Sequence, residues 1–334
     1  MTSEGAPLRV LVLGGNGQDG SYICEHAIAR GHAVLSLGRD EGPRYAVSGP
    51  LFQYRRCDLR DAGALREALD AFQPDRIVHV AAVHGPADSS YEEKWRDALD
   101  VNVGAMHTCL EHARLQAPRC RAFYASSSKV FGDPLPSVVT LETPRTASCL
   151  YSITKIAAEN LINFYRHKYG MPICIGFFFN HNSSRRLPGY FMPKIVRILD
   201  DALSGHRSAE RLDSLNFHAD WGDAEEYAGM VLDAMELAPD RDLIFATGRT
   251  WSGREFAEAL FSRFGLNAAD WLPDMAAAKP DRNGRYQVDV SETVRYLGRS
   301  PQRSALDVAE AILAHRRAVR ASLPRRSVGS LEEP

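Results

Sequence analysis

Apolar positions along the chain fall into short runs separated by longer amphipathic stretches. Residues 8–13, 33–37, 52–57, 76–82, 121–125 and 173–179 read as strands. Between them, apolar residues recur at helical spacing from about Ser21, after Asp61, and over 91–114 and 151–168. Short apolar strands joined by helices of this length pair in parallel through crossovers, so both faces of the sheet are covered. The pattern predicts a doubly wound α/β fold. Beyond Asn180 it becomes irregular, with Pro188, Gly189 and Pro193, a helix near 194–203, a broken stretch to Asp220, a strand over 243–246, a helix from Ser252 and a polar loop over 279–286. The expected organisation is a dinucleotide-type unit over 1–180 with returning segments about 219–248, a smaller mixed unit over 181–320 at the ligand-binding edge of the sheet, and a loose tail over 323–334.

Composition narrows the partners. The 334 residues are 45% hydrophobic with a formal charge of -2, which gives no global attraction to nucleic acid or an anionic membrane. A small molecule is the expected partner. The longest apolar run, 173–179, is too short to span a bilayer, and the first ten residues lack the cationic-then-apolar pattern of an export signal. The cytoplasm is therefore the expected location. The six cysteines are scattered without a CxxC pair, which predicts reduced, mostly buried thiols, no disulfide framework and no metal site.

Candidate chemistry lies at the ends of the predicted strands. The first runs into Gly14-Gly-Asn-Gly17-Gln18-Asp19-Gly20 and then a helix. Glycines at such a turn admit a pyrophosphate close to the backbone, and the helix N-terminus offers it free N–H groups, although a tight structural turn has the same composition. After the second strand, Gly38-Arg39-Asp40 places a guanidinium where a carboxylate would bind an adenosine ribose, which favours NADP while Asp40 keeps NAD open. Arg39 also reads as a solvated loop residue. Asp58 and Leu59, after the third strand, read as an adenine contact or as part of a helix cap. Tyr151 and Lys155 are four apart at the start of a helix, so phenol and ammonium share one face. A neighbouring ammonium stabilises phenolate and turns a tyrosine into a base nearer neutrality. Upstream, Ser126-Ser127-Ser128-Lys129 sets three hydroxyls and an ammonium at a strand end.

Together, the glycine loop, Ser127, Tyr151, Lys155 and Asn102 resemble the extended short-chain dehydrogenase/reductase superfamily over about the first 180 residues. The resemblance implies a Rossmann sheet. It also implies that Ser127 bonds a substrate oxygen, Tyr151 moves a proton, Lys155 holds the nicotinamide ribose, and Ala81, Ala82 and Asn102 lie beside the cofactor. Residues 15–21, the stretch Phe179-Asn180-His181-Asn182-Ser183-Ser184-Arg185-Arg186, and Asp220-Trp221-Gly222 with Tyr227 resemble the GDP-mannose 4,6-dehydratase family, extending the match to about residue 260. That implies a nucleotide-sugar substrate contacted by Ser128, Asn180 and Lys194. Arg254 and Arg285 suit a diphosphate, or simple surface ion pairs.

In that family hydride leaves C4 of the hexose, a base removes the C5 proton, water departs from C6, and hydride returns. The base is a glutamate two residues after the Ser/Thr, and here that position is Lys129. An ammonium accepts no proton unless its pKa is strongly lowered. Three readings follow: dehydration with Lys129 as a perturbed base; C4 oxidation without water loss, as in a 4-epimerase, C4 dehydrogenase or 4-keto reductase; or Lys129 as a binding or solvent-facing group. His84 is a further proton mover or an exposed loop histidine, Glu142 reads as structural, and His181 shapes the sugar pocket. Ala219 stands where the family has arginine, and the arginine-rich loop after the second strand is reduced to 38–44, so a homodimer through the long helices is expected.

Overall fold

The computed structural model describes residues 7–45, 47–84, 92–272 and 284–322. The polar loop and the tail foreseen at 279–286 and 323–334 therefore lie wholly or largely outside the described residues. Strands β1 (Arg9–Leu13), β2 (Ala33–Gly38), β3 (Phe52–Arg56), β4 (Arg76–His79), β5 (Arg121–Ser127), β7 (Ile173–Phe178) and β10 (Asp242–Phe245) form one parallel sheet in the order β10-β7-β5-β4-β1-β2-β3. A two-residue β6 (Val138–Val139) pairs with β12 (Gln287–Val288) apart from it. The order reverses between β1 and β4, and this switch point opens a crevice at the carboxyl ends of the strands.

Helices cover both faces. On one side α2 (Ala62–Phe72), α4 (Ala105–Gln116) and α5 (Leu150–Tyr169) bury Leu65, Leu110 and Ile162 against Leu11, Ile77 and Ile175. On the other, α1 (Gln18–Ala29) and α7 (Ala224–Leu237) bury Ile23 and Val231 against Val10, Val78 and Phe245. Successive strand residues point to opposite faces, so near-continuous apolar strands are what a two-sided core requires.

The helix expected over 91–114 is divided. Its start lies outside the described residues; α3 (Trp95–Leu99) passes into a π-helical turn at Asp100–Gly104 before α4 begins. Asn102 sits in that wide turn, fully buried.

The second half of the chain builds its own core. Helices α6 (Phe191–Leu203), α8 (Gly253–Ser262), α9 (Ala268–Trp271) and α11 (Ala305–Ser322) enclose Ile195, Leu199, Phe256, Leu260, Ala309 and Trp221. Trp221 belongs to β9 (His218–Asp223), the centre of a small mixed sheet between β8 (Asn180–Asn182), parallel to it, and β11 (Thr250–Ser252), antiparallel. From β9 the chain returns through α7 to β10 at the edge of the large sheet, and α10 (Ser291–Leu297) packs behind it. No helix among the described residues is long and apolar enough to cross a membrane.

Candidate active site

The glycine loop closes the crevice at the switch point. Gly14 has φ +93°, and a Cβ there would stand 2.8 Å from the Ala81 backbone. At Gly20 a Cβ would meet the Gly14 carbonyl carbon at 2.7 Å. The loop is thus as narrow as the backbone allows, and the N-terminus of α1 opens directly into a cleft of about 490 Å³. Gly14, Gly17, Gln18, Asp19, Arg39, Asp58, Leu59, Ala81 and Ala82 line this cleft, and Gly20 is buried behind it. These residues fit a dinucleotide: the cradle is one that side chains would fill, with N–H groups facing into it.

At the tip of β2, Asn16 and Arg44 donate to the Asp40 carboxylate at 2.9 and 3.0 Å. Asp40 is therefore engaged by protein donors, while Arg39 is exposed on the cleft wall. Asp58 is likewise held by Arg60, whose hydrogen bonds keep its carboxyl below the usual range.

A second cavity of about 190 Å³ joins the first, the two sharing Asp19, Val80, Ala82, His84 and Arg186. Its wall carries Ser127, Ser128, Lys129, Tyr151, Lys155, Asn180 and His181. Tyr151 is in the first turn of α5 and Lys155 one turn on, both buried. The Lys155 ammonium donates to the Ala125 carbonyl at 2.7 Å and lies 5.7 Å from the centre of the Tyr151 ring. Burial lowers its pKa to about 7, and the Glu159 carboxylate works against that fall.

His84 stacks against Tyr151 with ring centres 4.6 Å apart. His84 is exposed where the two cavities join. The enclosing walls, then the cations of Arg186, Lys155 and Lys129, nevertheless hold its pKa far down, to about 3. Lys129 donates to Asp133 at 3.2 Å across an exposed pair at the cavity rim.

Asp19 ties the glycine loop to the wall formed by β8. It faces Nε2 of His181 at 2.9 Å, while Nδ1 of the same ring faces the Phe179 carbonyl at 2.8 Å. Burial works to raise the Asp19 pKa, but the attraction and hydrogen bond of His181, with help from Arg186, leave it below the usual value.

Five further sequence candidates stand off both cavity walls. Asn102 donates to Thr154 at 2.9 Å and accepts at its backbone oxygen from the Tyr124 hydroxyl at 3.1 Å, so it braces α5 from within the core. Lys194 is 4.0 Å from Asp213, Arg254 is exposed, and Arg285 pairs with Glu255. Glu142 is also exposed and away from the walls. Sequence reasoning did not single out Arg186, His218 or Tyr286, all of which line the smaller cavity. Arg186 was visible only as the end of the quoted 179–186 stretch. Its guanidinium lies over the Tyr190 ring at 3.6 Å, and its Nε is buried without a hydrogen-bond partner among the described residues. Tyr286 is adjacent in sequence to the Arg285 that was singled out, and its buried hydroxyl accepts from the Asp220 N–H at 3.1 Å.

A glycine-cradled dinucleotide crevice, with a buried Tyr–Lys pair and a serine at its inner end, defines an extended short-chain dehydrogenase/reductase. The chain belongs to the GDP-mannose 4,6 dehydratase family, whose sequence model matches residues 11–306. It is 32% identical over 311 residues to GDP-mannose 4,6 dehydratase 2 of Arabidopsis thaliana, covering 87% of this chain and 82% of that one. Among solved structures, UDP-glucose 4-epimerase of Thermotoga maritima with UDP-glucose superposes with a TM-score of 0.78 at 16% identity, covering 94% of this chain and all of the other. The dTDP-glucose 4,6-dehydratase of Bacillus anthracis in complex with NAD gives 0.77 at 17% identity, covering 93% and 97%. These two likenesses show the shared fold. The protein is a nucleotide-sugar-modifying enzyme.

Proposed function

We propose that the protein oxidises C4 of a nucleotide-linked hexose with bound NADP and completes the reaction without eliminating water. The observation that carries this reading is the placement of Ser127, Tyr151 and Lys155 around one small cavity that opens onto the dinucleotide cleft. A nicotinamide bound in the cleft would supply the hydride acceptor. Tyr151 takes the C4 hydroxyl proton, Ser127 holds the same oxygen, and the Lys155 ammonium stabilises the phenolate while reaching towards the ribose. Arg186, with its unpartnered buried Nε between the two cavities, suits a phosphate oxygen. NADP is favoured over NAD because the exposed Arg39 stands on the cleft wall with its charge available to a 2'-phosphate, whereas Asp40 on the same wall is already paired with Asn16 and Arg44. Family membership makes a GDP-linked sugar the first substrate to try.

The absence of elimination follows from Lys129. Its ammonium donates to the Asp133 carboxylate at 3.2 Å, and an ammonium at this position cannot take the C5 proton that the family's glutamate removes. A dehydratase course is the second reading, favoured by the family match over residues 11–306. Incubation with a panel of nucleotide sugars, followed by product mass, separates them. An epimer keeps its mass and a simple oxidation loses two hydrogens, whereas loss of water would establish the dehydratase course. In the proposed course Lys129→Glu introduces the missing base and is expected to produce some dehydrated product. A variant as inert towards elimination as the parent counts against the assigned role of position 129.

A homodimer is the proposed assembly, through the outward faces of α4 and α5. These leave Leu115, Ile153 and Phe164 exposed.

A further inference from the structure

Beneath the site lies a buried polar network that the proposed reaction does not use directly. Glu159 is one turn beyond Lys155 on α5, so Tyr151, Lys155 and Glu159 follow one another at intervals of four along one helix face. Its carboxylate is 4% exposed at the residue level and receives one donor at each oxygen: the Ser126 hydroxyl at Oε1, and Arg145 Nε at Oε2, 3.2 Å away. The Arg145 guanidinium is packed between aromatic rings, 4.8 Å from the centre of Phe131 and 4.4 Å from that of Phe177. It also donates to the carbonyls of Leu141 and Thr143 at 3.0 and 2.7 Å. Every strong group in the network therefore has a partner, which is the condition for a buried ionic cluster to specify geometry.

The network meets β5 at a telling place. Lys155 holds the carbonyl of Ala125, Glu159 holds the hydroxyl of Ser126, and Ser127 comes next on the strand. Ser126 and Ser127 both line the small cavity, so holding Ser126 against α5 fixes the strand end from which Ser127 projects. The same helix that carries Tyr151 thus grips two successive residues of the strand that carries Ser127.

We propose that Glu159 is a positioning residue: it sets the register between Ser127 and Tyr151 through Ser126 and places a buried carboxylate one helical turn beyond Lys155. The reaction it serves is the one proposed above, but its own role is measurable without substrate. Around Lys155 the other polar groups are His79 at the end of β4, His84 beyond it, Tyr124 on β5, Tyr151 on α5 itself, and Arg145 on the far side of Glu159. Both histidines have lowered pKa values, so neither adds a second positive charge beside Lys155, and an imidazole offers no negative one. Glu159 is the carboxylate that acts on Lys155.

The sign of the pH dependence follows. Lys155 loses its charge as pH rises through about 7, and the Glu159 carboxyl, whose pKa burial raises, loses its own as pH falls, so the attraction is present between those two points and fades as pH rises past 7. The test is a double-mutant cycle of Glu159→Gln and Lys155→Met on the intact chain, read by thermal melting on either side of that pKa. Expected is a favourable coupling on the acid side that falls by at least half on the alkaline side. A coupling equal on both sides, or absent on both, would overturn the proposal, because a purely steric role has no reason to follow the lysine proton. Where Lys155→Met fails to fold, Lys155→Arg replaces it. This variant keeps a fixed charge, and the difference between parent and Glu159→Gln should then lose its dependence on the lysine proton. Turnover gives a second readout. Ser126→Ala and Glu159→Gln should each lower kcat about tenfold with little change in KM. A parent chain without activity on any nucleotide sugar would refute the proposed function, while the melting cycle would still decide the role of Glu159.

Discussion

At the scale of single residues, the site is made by what burial does to charge. Lys155 is 1% exposed, and desolvation alone would favour a neutral amine. The carbonyl of Ala125 and the carboxylate of Glu159 oppose this, leaving the ammonium close to its switching point near neutral pH. Tyr151 shares that environment, with His84 against its ring. Replacing Tyr151 by phenylalanine removes the oxygen and keeps the ring, so turnover should fall about 10³-fold. Binding of NADPH, followed by its fluorescence, should persist. Loss of both together would mean that the phenol organises the cleft and does not move a proton. Lys129 shows the limit of motif reading at this scale. Its position in the sequence announced an anomaly, but only the neighbouring Asp133 shows how its charge is accommodated, because that pairing depends on the turn between them.

At the scale of elements, the shortest motif has the plainest physical cause. In Asp220-Trp221-Gly222, each residue of β9 faces a different demand. The Asp220 carboxylate is fully buried and accepts from the backbone N–H and the hydroxyl of Thr247, each at 2.9 Å, which ties β9 to the turn after β10. Trp221 stacks on Phe191 with ring centres 5.4 Å apart and fills the second core. Gly222 leaves room for Tyr227, whose ring lies where a Cβ would stand, 2.6 Å from its Cε1. Gly222→Ala should therefore destabilise the protein by about 2 kcal/mol, measurable by urea denaturation. Shrinking the obstacle with Tyr227→Leu in the same chain should recover part of that loss, and strict additivity of the two changes would refute the steric account. The strands and helices of the first 180 residues were legible because periodicity reports a two-sided core directly. The π-helical turn at Asp100–Gly104 was not, since a single widened turn leaves the apolar spacing of its helix nearly unchanged.

At the scale of the whole molecule, the two cores meet over the switch point, and the small cavity lies where they meet. Its wall takes Ser127 and Tyr151 from the large sheet and its crossover helix, Asn180 and His181 from β8, and His218 from β9. The exposed Ile153 and Phe164 are eleven residues apart on α5, close to three full turns, and so mark one helix face turned away from the core. If that face seals a dimer, Phe164→Glu should convert the protein to a monomer in light-scattering chromatography, while a monomeric parent would rule the interface out. Alternating strands and helices, the glycine turn and the Tyr–Lys spacing are local regularities, and the sequence by itself determined them: a parallel sheet, a glycine-lined crevice and a phenol one helical turn before an ammonium. Which charges face one another was decided only by the tertiary structure. The partners of Arg186, Asp19, Lys129 and Glu159 come from separate turns and elements, and electrostatic interaction depends on distance and burial, neither of which is written in the order of residues.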